Sequence, residues 1–176
     1  VAFKVHRMST GDAMQFYGPV REILRTKLND SVAVKAKGVL EAEFGFPIPP
    51  ESEKALGQLL GPLSGDHQFE SIVKFMSGRS PSECDETTLS EPGTQTIIAL
   101  VYEGVDAIRK IRNVLGPTDP SKAPPGSIRR EFGSSIMVNA AHASDSRENA
   151  EREMGIVRVA KENLLRQLVE QTYGSL

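Results

Sequence analysis

The stretch Val138-Asn139-Ala140-Ala141-His142-Ala143-Ser144-Asp145-Ser146 sets a histidine between an apolar alternating segment and the opening of a charged helix. Residues 135–141 read as a buried strand that delivers His142 to its end. Small polar residues then start a helix, capped by Asp145 or by Ser146, with Glu148 three residues after Asp145 as in a capping box. Ala150 and Met154 give that helix its apolar side. A histidine held at the edge of an element can have one ring nitrogen fixed by a partner and the other poised for chemistry. Glu153, one or two turns into the helix, and Ser144 are the candidate partners. Taken alone, a histidine at a strand end is more often a packed, satisfied side chain. Its neighbours decide the matter.

Upstream lie the loop Gly116-Pro117-Thr118-Asp119-Pro120 and the run Pro125-Gly126-Ser127-Ile128-Arg129-Arg130. Before the loop, Val105, Ile108, Ile111 and Leu115 recur at helical spacing, so an amphipathic helix ends at Gly116. Transfer of a phosphoryl group needs a nucleophile, cations or amide donors for the oxygens, and positioning of both substrates. His142 supplies the first. Arg112 and Arg129 can clamp phosphate oxygens with forked, charge-assisted hydrogen bonds, and Thr118 can donate one more. The bland alternative makes Arg109, Lys110 and Arg112 a solvated helix face. The chain has no Gly-rich Walker loop and no G-x-G-x-x-G, and no cluster has metal-ligand spacing.

Elsewhere, Val1, Phe3 and Val5 alternate with Ala2, Lys4 and His6, the period of a strand with one buried face. Ser9 or Thr10 caps a helix on which Ala13, Phe16, Tyr17, Val20, Ile23 and Leu24 form the apolar stripe, and Gly18-Pro19 is expected to kink or divide it. Residues 32–44 fit either a helix or a strand. Pro47, Pro49 and Pro50 form a stiff connection, after which Glu51 or Ser52 opens a short helix through Leu60. Residues 96–102 read as a buried strand. Leu164, Leu165 and Leu168 mark a helical tail at about 158–173 that would dock or join copies. The order of elements predicts an α+β sandwich on an antiparallel sheet.

The 176 residues fit one domain, and 39% apolar with 25% charged residues is ordinary for a globular chain. A net charge of −2 gives no large field of one sign, so neither nucleic acid nor an anionic membrane is expected as a partner. No segment has the length of a membrane span, and none has the charged start and apolar core of a signal peptide. The single cysteine, Cys84, sits among Glu83, Asp85 and Glu86, which disfavour a thiolate; a reducing cytoplasm is expected and a catalytic role for Cys84 is not.

Gly-Pro-Thr-Asp-Pro at residues 116–120, Pro-Gly-Ser-Ile-Arg at 125–129, and Asn-Ala-Ala-His-Ala-Ser-Asp-Ser at 139–146 with Glu148, Glu151 and Glu153 following together resemble the nucleoside diphosphate kinase family. Ile72-Val73-Lys74-Phe75-Met76-Ser77-Gly78 is similar to another family segment, and residues 105–153 match almost without gaps. The resemblance implies a ferredoxin-like α/β sandwich, an antiparallel sheet covered by helices. It also implies transfer of the γ-phosphate of a nucleoside triphosphate to a diphosphate by a ping-pong mechanism through a phosphohistidine. On that resemblance His142 is the phosphorylated residue, Ser144 and Glu153 its supports, and Arg112, Thr118 and Arg129 the phosphate binders. Asn139 is a ribose contact, and Tyr17 and Phe69 lie at the nucleotide. Magnesium would arrive with the nucleotide, and family members assemble as homo-oligomers. A noncatalytic scaffold of the same fold, binding nucleotide or protein, is the alternative.

Several features depart from the family pattern. Ala143 stands where glycine is usual, a strained choice if the backbone there takes a positive φ, and Ser127 stands in place of threonine. Gln68 aligns with the aromatic residue that stacks on the base, and Phe69 with its neighbour. Insertions are expected at about 27–66 and 80–93. The family's first strand and helix, with a Lys-Pro-Asp motif, have no counterpart, and Val1 aligns with the second strand. The complete polypeptide is therefore expected to carry an upstream strand and helix, with a lysine or a substitute cation directed at the phosphates.

Overall fold

The computed structural model describes residues 2–159 and 172–174, so the predicted tail at about 158–173 lies almost wholly outside the described residues. The chain divides into two compact units. One gathers Val1–His6 and Ile97–Leu176, the other Arg7–Thr96. The class is α+β.

The second unit is helical. Helix α1 (Thr10–Lys27) begins at Ser9, whose hydroxyl accepts from the Asp12 amide while the Asp12 carboxylate accepts from the Ser9 amide, a reciprocal capping box. The helix runs on through Pro19 and is not divided there. Helix α2 (Asn29–Phe44) settles the ambiguous segment as helix and stops at Gly45, whose φ of 73° is the left-handed conformation that glycine takes without steric cost. Helix α3 (Pro50–Ser77) is far longer than the short helix expected. It passes Pro62, absorbs residues 72–76, and ends at Gly78.

The buried positions of α3 explain the length. Gly57, Gly61, Gly65, Phe69, Val73 and Ser77 recur every fourth residue and form one continuous ridge that packs against α1 and α2. At its glycines the neighbouring backbones come so close that a side chain has no room. A Cβ on Gly57 would sit 2.6 Å from the Asn29 carbonyl oxygen, and one on Gly65 2.6 Å from the Arg25 amide nitrogen. On Gly61 it would overlap the Asn29 side chain. Ion pairs of Arg21 with Asp66 (2.8 Å) and Lys37 with Glu53 (2.9 Å) cross the same interfaces, but partly exposed pairs of this kind contribute less than about 1 kcal/mol each. Close packing of the ridge is what holds the three helices. The chain then passes a single 3-10 turn, Pro81–Glu83, and closes on itself where the Gly93 amide donates to the Met8 carbonyl at 3.1 Å.

In the first unit, β1 (Ala2–His6) pairs antiparallel with β2 (Ile97–Val101), Ala2 opposite Val101 and His6 opposite Ile97. The expected alternation is present, yet the better-covered face is the one bearing Lys4 and Ala99. Val5, Ile98 and Leu100 are mostly exposed, Ile98 at 63%. Lys4 accounts for the choice, because its ammonium donates to the carbonyls of Val157 (3.1 Å) and Arg158 (3.2 Å) at the end of helix α6 (Arg147–Val157), where a cation is favoured. Helices α4 (Ala107–Leu115) and α5 (Ile128–Phe132) precede it, separated by a 3-10 turn at Pro120–Lys122.

If the glycine ridge holds the helical unit, Gly65→Ala should lower stability by about 1–3 kcal/mol, the usual cost of overpacking a tight interface. Gly38→Ala, on the open side of α2, should be neutral or mildly stabilising. Urea midpoints of the two variants check this, and equal midpoints would remove the ridge from the argument.

Candidate active site

The segment read as a buried strand before His142 is a loop. Residues 134–139 fold back on themselves, with the Ser134 and Ser135 amides donating to the Val138 carbonyl at 2.8 and 3.2 Å. The Val138 amide donates in turn to the Ser135 hydroxyl, and the Asn139 side-chain amide to the Ile136 carbonyl. Serine and asparagine side chains compete in this way with strand pairing. Ile136, Met137 and Val138 are accordingly exposed rather than core. Ala140 follows with φ 72°, in the left-handed region, at a cost of about 1 kcal/mol for a residue with a Cβ. The strain expected at Ala143 is thus three residues upstream; Ala143 itself has no positive φ.

Arg129, from α5, holds this loop. Its Nε and Nη2 both donate to the Ala141 carbonyl (3.1 and 2.8 Å), and Nη1 donates to the Gly116 carbonyl (2.9 Å). Gly116 ends α4 with φ 81°, and a Cβ there would collide with Ser127 and Ala123. Arg112, one turn before, reaches the other side of the histidine through Nη1 to the Ala143 carbonyl at 3.3 Å. The carbonyls on either side of His142 are therefore each held by an arginine.

The histidine faces a carboxylate. His142 Nε2 donates to Glu153 Oε2 at 2.9 Å, and Ser144 Oγ donates to the same oxygen at 2.6 Å. Helix α6 presents Glu153; its N-cap is Ser146, whose hydroxyl accepts from the Asn149 amide, while Asp145 accepts from the Asn149 side chain. The Asp145–Glu148 capping box is not used. The side chains differ sharply in exposure, 42% for His142 and 10% for Glu153. Burial pushes the Glu153 carboxyl up, but hydrogen bonds from His142 and Ser144, with the Arg152 cation beside it, outweigh it and hold the group below the usual glutamate range. A carboxylate accepting from Nε2–H fixes the tautomer in which Nδ1 carries the lone pair.

Beside the histidine loop is a cleft of about 360 Å³ lined by Arg112, Asn113, Gly116, Thr118, Arg129 and Ala143, among others. Burial, then the adjacent Arg112 cation, lowers the Arg129 guanidinium from its usual value. Among the described residues neither arginine is in ion-pair contact with a carboxylate. Asp145 feels Arg112 at longer range, without an ion-pair contact, so both guanidinium groups keep donors for an anion in the cleft. Three groups read from the sequence thus come together: the His142, Ser144 and Glu153 cluster, the cleft with Arg112, Thr118 and Arg129, and the Ala143 backbone that joins them.

The remaining candidates stand elsewhere. Asn139 is on the histidine loop with its amide committed to Ile136. Tyr17 and Phe69 belong to the helical unit, where Tyr17 packs against Phe16 with ring centroids 5.0 Å apart. Phe69 is 4% exposed on the α3 ridge, where the Arg21 guanidinium lies over its ring at 5.4 Å, so it packs in the core of the helical unit. Cys84 donates weakly to Thr10 and to the Ser80 carbonyl, within the helical unit. Sequence reasoning missed Arg152, whose Nη2 donates to Glu153 Oε1 at 3.2 Å, because adjacent helical residues do not ordinarily face one another.

A family model described as nucleoside diphosphate kinase matches residues 52–162, well over half of the chain. The chain belongs to the nucleoside diphosphate kinase family. A nucleoside diphosphate kinase of Streptomyces avermitilis is 39% identical over 104 residues, 59% of this chain and 64% of that protein. One of Hydrogenovibrio crunogenus is 46% identical over 69 residues, 39% of this chain and 49% of that protein. These matches span from about half to just under two thirds of the curated relatives' length. Among solved structures, an NDP kinase from Pyrobaculum aerophilum resembles this chain with a TM-score of 0.51 at 25% identity, covering 89% of this chain and 77% of that one. The α+β, ferredoxin-like class read from the sequence stands on that likeness.

The Glu153 cluster also governs stability. A carboxylate held below its unfolded value stabilises the fold above the usual glutamate range, and that contribution fades as pH falls through the folded value. Glu153→Gln should therefore be less stable than the parent at pH 7, and the difference should narrow as pH falls below about 4. Urea midpoints across that range measure it; a gap that stays constant to pH 3 would show that the carboxylate charge contributes nothing.

Proposed function

We propose that this chain carries the phosphotransfer site of a nucleoside diphosphate kinase and works by a ping-pong mechanism through phosphohistidine at His142. The observation that carries the proposal is the joining of a carboxylate-held histidine to a cleft with two arginines that lack carboxylate partners, through one backbone segment.

In the first half-reaction the Nδ1 lone pair of His142 attacks the γ-phosphorus of a nucleoside triphosphate. The bond to the bridging β–γ oxygen breaks, and the diphosphate leaves with that electron pair. In the second half a terminal phosphate oxygen of another nucleoside diphosphate attacks the phosphohistidine and returns the pair to Nδ1. Glu153 and Ser144 hold the ring, and the negative carboxylate stabilises the positive charge the imidazole gains. Arg112, Arg129 and Thr118 meet the phosphate oxygens. Arg129 has five N–H donors and uses three on carbonyls, so two more are available to an anion. Asn139 is assigned to a ribose hydroxyl through its side-chain oxygen, and Tyr17 stays at the nucleotide on the resemblance alone.

Magnesium enters bound to the phosphates of the substrate nucleotide. Base selectivity is then weak, because the assigned contacts are to phosphates and ribose. The segments 27–66 and 80–93 are insertions in a single family domain. No described helix is long and apolar enough to cross a membrane. A cytoplasmic homo-oligomer that handles nucleotides, with no nucleic acid or membrane partner, completes the proposal.

Incubation with γ-labelled ATP and magnesium should give an acid-labile, base-stable phosphoprotein that any common nucleoside diphosphate discharges. The label should sit on Nδ1 and vanish in His142→Ala. Label retained in that variant, or a parent chain that binds nucleotide and is never labelled, would turn the conclusion to a noncatalytic scaffold.

A further inference from the structure

Glu153 has two oxygens, and the histidine and serine use only one. The other, Oε1, accepts from Arg152 Nη2 at 3.2 Å. Arg152 is itself anchored: its Nε donates to Asn149 Oδ1 at 3.3 Å, one turn back on α6. Asn149 is fixed at both ends, its side-chain amide donating to Asp145 Oδ1 at 2.7 Å and its backbone amide to the capping Ser146 hydroxyl at 3.0 Å. A chain of hydrogen bonds thus runs from the first turn of α6, through the guanidinium, to the carboxylate that faces His142.

The torsion about a carboxylate is soft and roughly two-fold. With Oε2 alone engaged, Glu153 could pivot about that oxygen and take the imidazole plane with it. A planar guanidinium held at two points removes that freedom. We propose that Arg152 is a positioning residue for the transfer reaction, fixing the Glu153 carboxylate and through it the direction of the His142 Nδ1 lone pair. The inference rests on the proposed phosphohistidine mechanism. Misdirection of an attacking lone pair slows the chemical step without weakening substrate binding. Lysine at this position keeps the charge but replaces the planar fork with a single point of contact.

The test uses the whole chain with Arg152→Met, Arg152→Lys and Asn149→Ala. Single-turnover labelling from γ-labelled ATP and magnesium separates the rate at saturating nucleotide from the concentration needed to reach half of it. Arg152→Met should lower the saturating rate about tenfold, the scale of one lost charge-assisted hydrogen bond, with the half-saturating concentration unchanged. Arg152→Lys should recover part of the rate, and Asn149→Ala, which removes the Asn149 contacts to Arg152 and Asp145 and leaves the guanidinium on Glu153, should fall between. ¹⁵N-histidine spectra of the nucleotide-free proteins should show the Nε2–H signature of His142 weakened in the same order. If Arg152→Met does not fold, Asn149→Ala carries both measurements. Parental saturating rates with an unchanged tautomer, or a loss confined to the half-saturating concentration, would overturn the role of Arg152. A parent chain that is never labelled would overturn the mechanism instead, and the spectra would then decide the positioning role by themselves.

Discussion

Three nitrogens of Arg129 hold two carbonyl oxygens, and the site follows from that grip. Gly116 ends α4 and Ala141 precedes the histidine; nothing in their local conformations brings them together. The guanidinium does so because its donors lie in one plane at fixed angles, a geometry lysine lacks. The arrangement also gives donors to two part-buried carbonyls that a loop would otherwise leave to water. Arg112 repeats the device more weakly on the far side of His142. His142 is held not by a strand but by cations gripping the backbone around it.

That substitution explains where sequence and structure part. The residue types of the site were legible: His142, Ser144, Glu153, Arg112, Thr118 and Arg129 carry chemistry that bland packing does not require. Their support was not. Ile136 and Val138 have the alternation of a strand, but Ser135 and Asn139 bond locally to the backbone and turn the segment back on itself. Hydrophobic period reports what a segment could pair with, not whether a pairing partner arrives. Arg152 gave no signal, since its partner is the adjacent residue.

The helical unit shows the converse error. Pro19 suggests a break in a local reading, and the helix opened at Glu51 or Ser52 reads as ending at Leu60, just before Pro62. The helices run through them because the loss of one backbone hydrogen bond is small beside a ridge that repeats every fourth residue from Gly57 to Ser77. Gly57, Gly61 and Gly65 are at helical spacing in the sequence, but glycine lowers helix propensity and so weighs against the helix it serves. Here the missing side chains let α1 and α2 approach, and tertiary contact overrides propensity. Phe69 belongs to that same ridge, which is why a residue aligned beside a base-stacking position packs in the core of the helical unit.

Charge in the first unit is divided in a way that suits one kind of chemistry. Arg112 and Arg129 line the cleft outside ion-pair contact with any described carboxylate, Asp145 feeling Arg112 only at longer range, whereas Glu153 lies against His142 and accepts from donors on both of its oxygens. Had Glu153 faced the cleft, it would have paired with an arginine and repelled a polyphosphate. Placed against the imidazole, it favours the tautomer that keeps the lone pair on Nδ1 and does not pair with the cleft arginines. A cleft for anions and a nucleophile that needs a base-like partner make opposed electrostatic demands. Separating them on the two sides of one histidine ring meets both, and it requires the backbone through 141–143 to be rigid, which returns to the arginines that hold it.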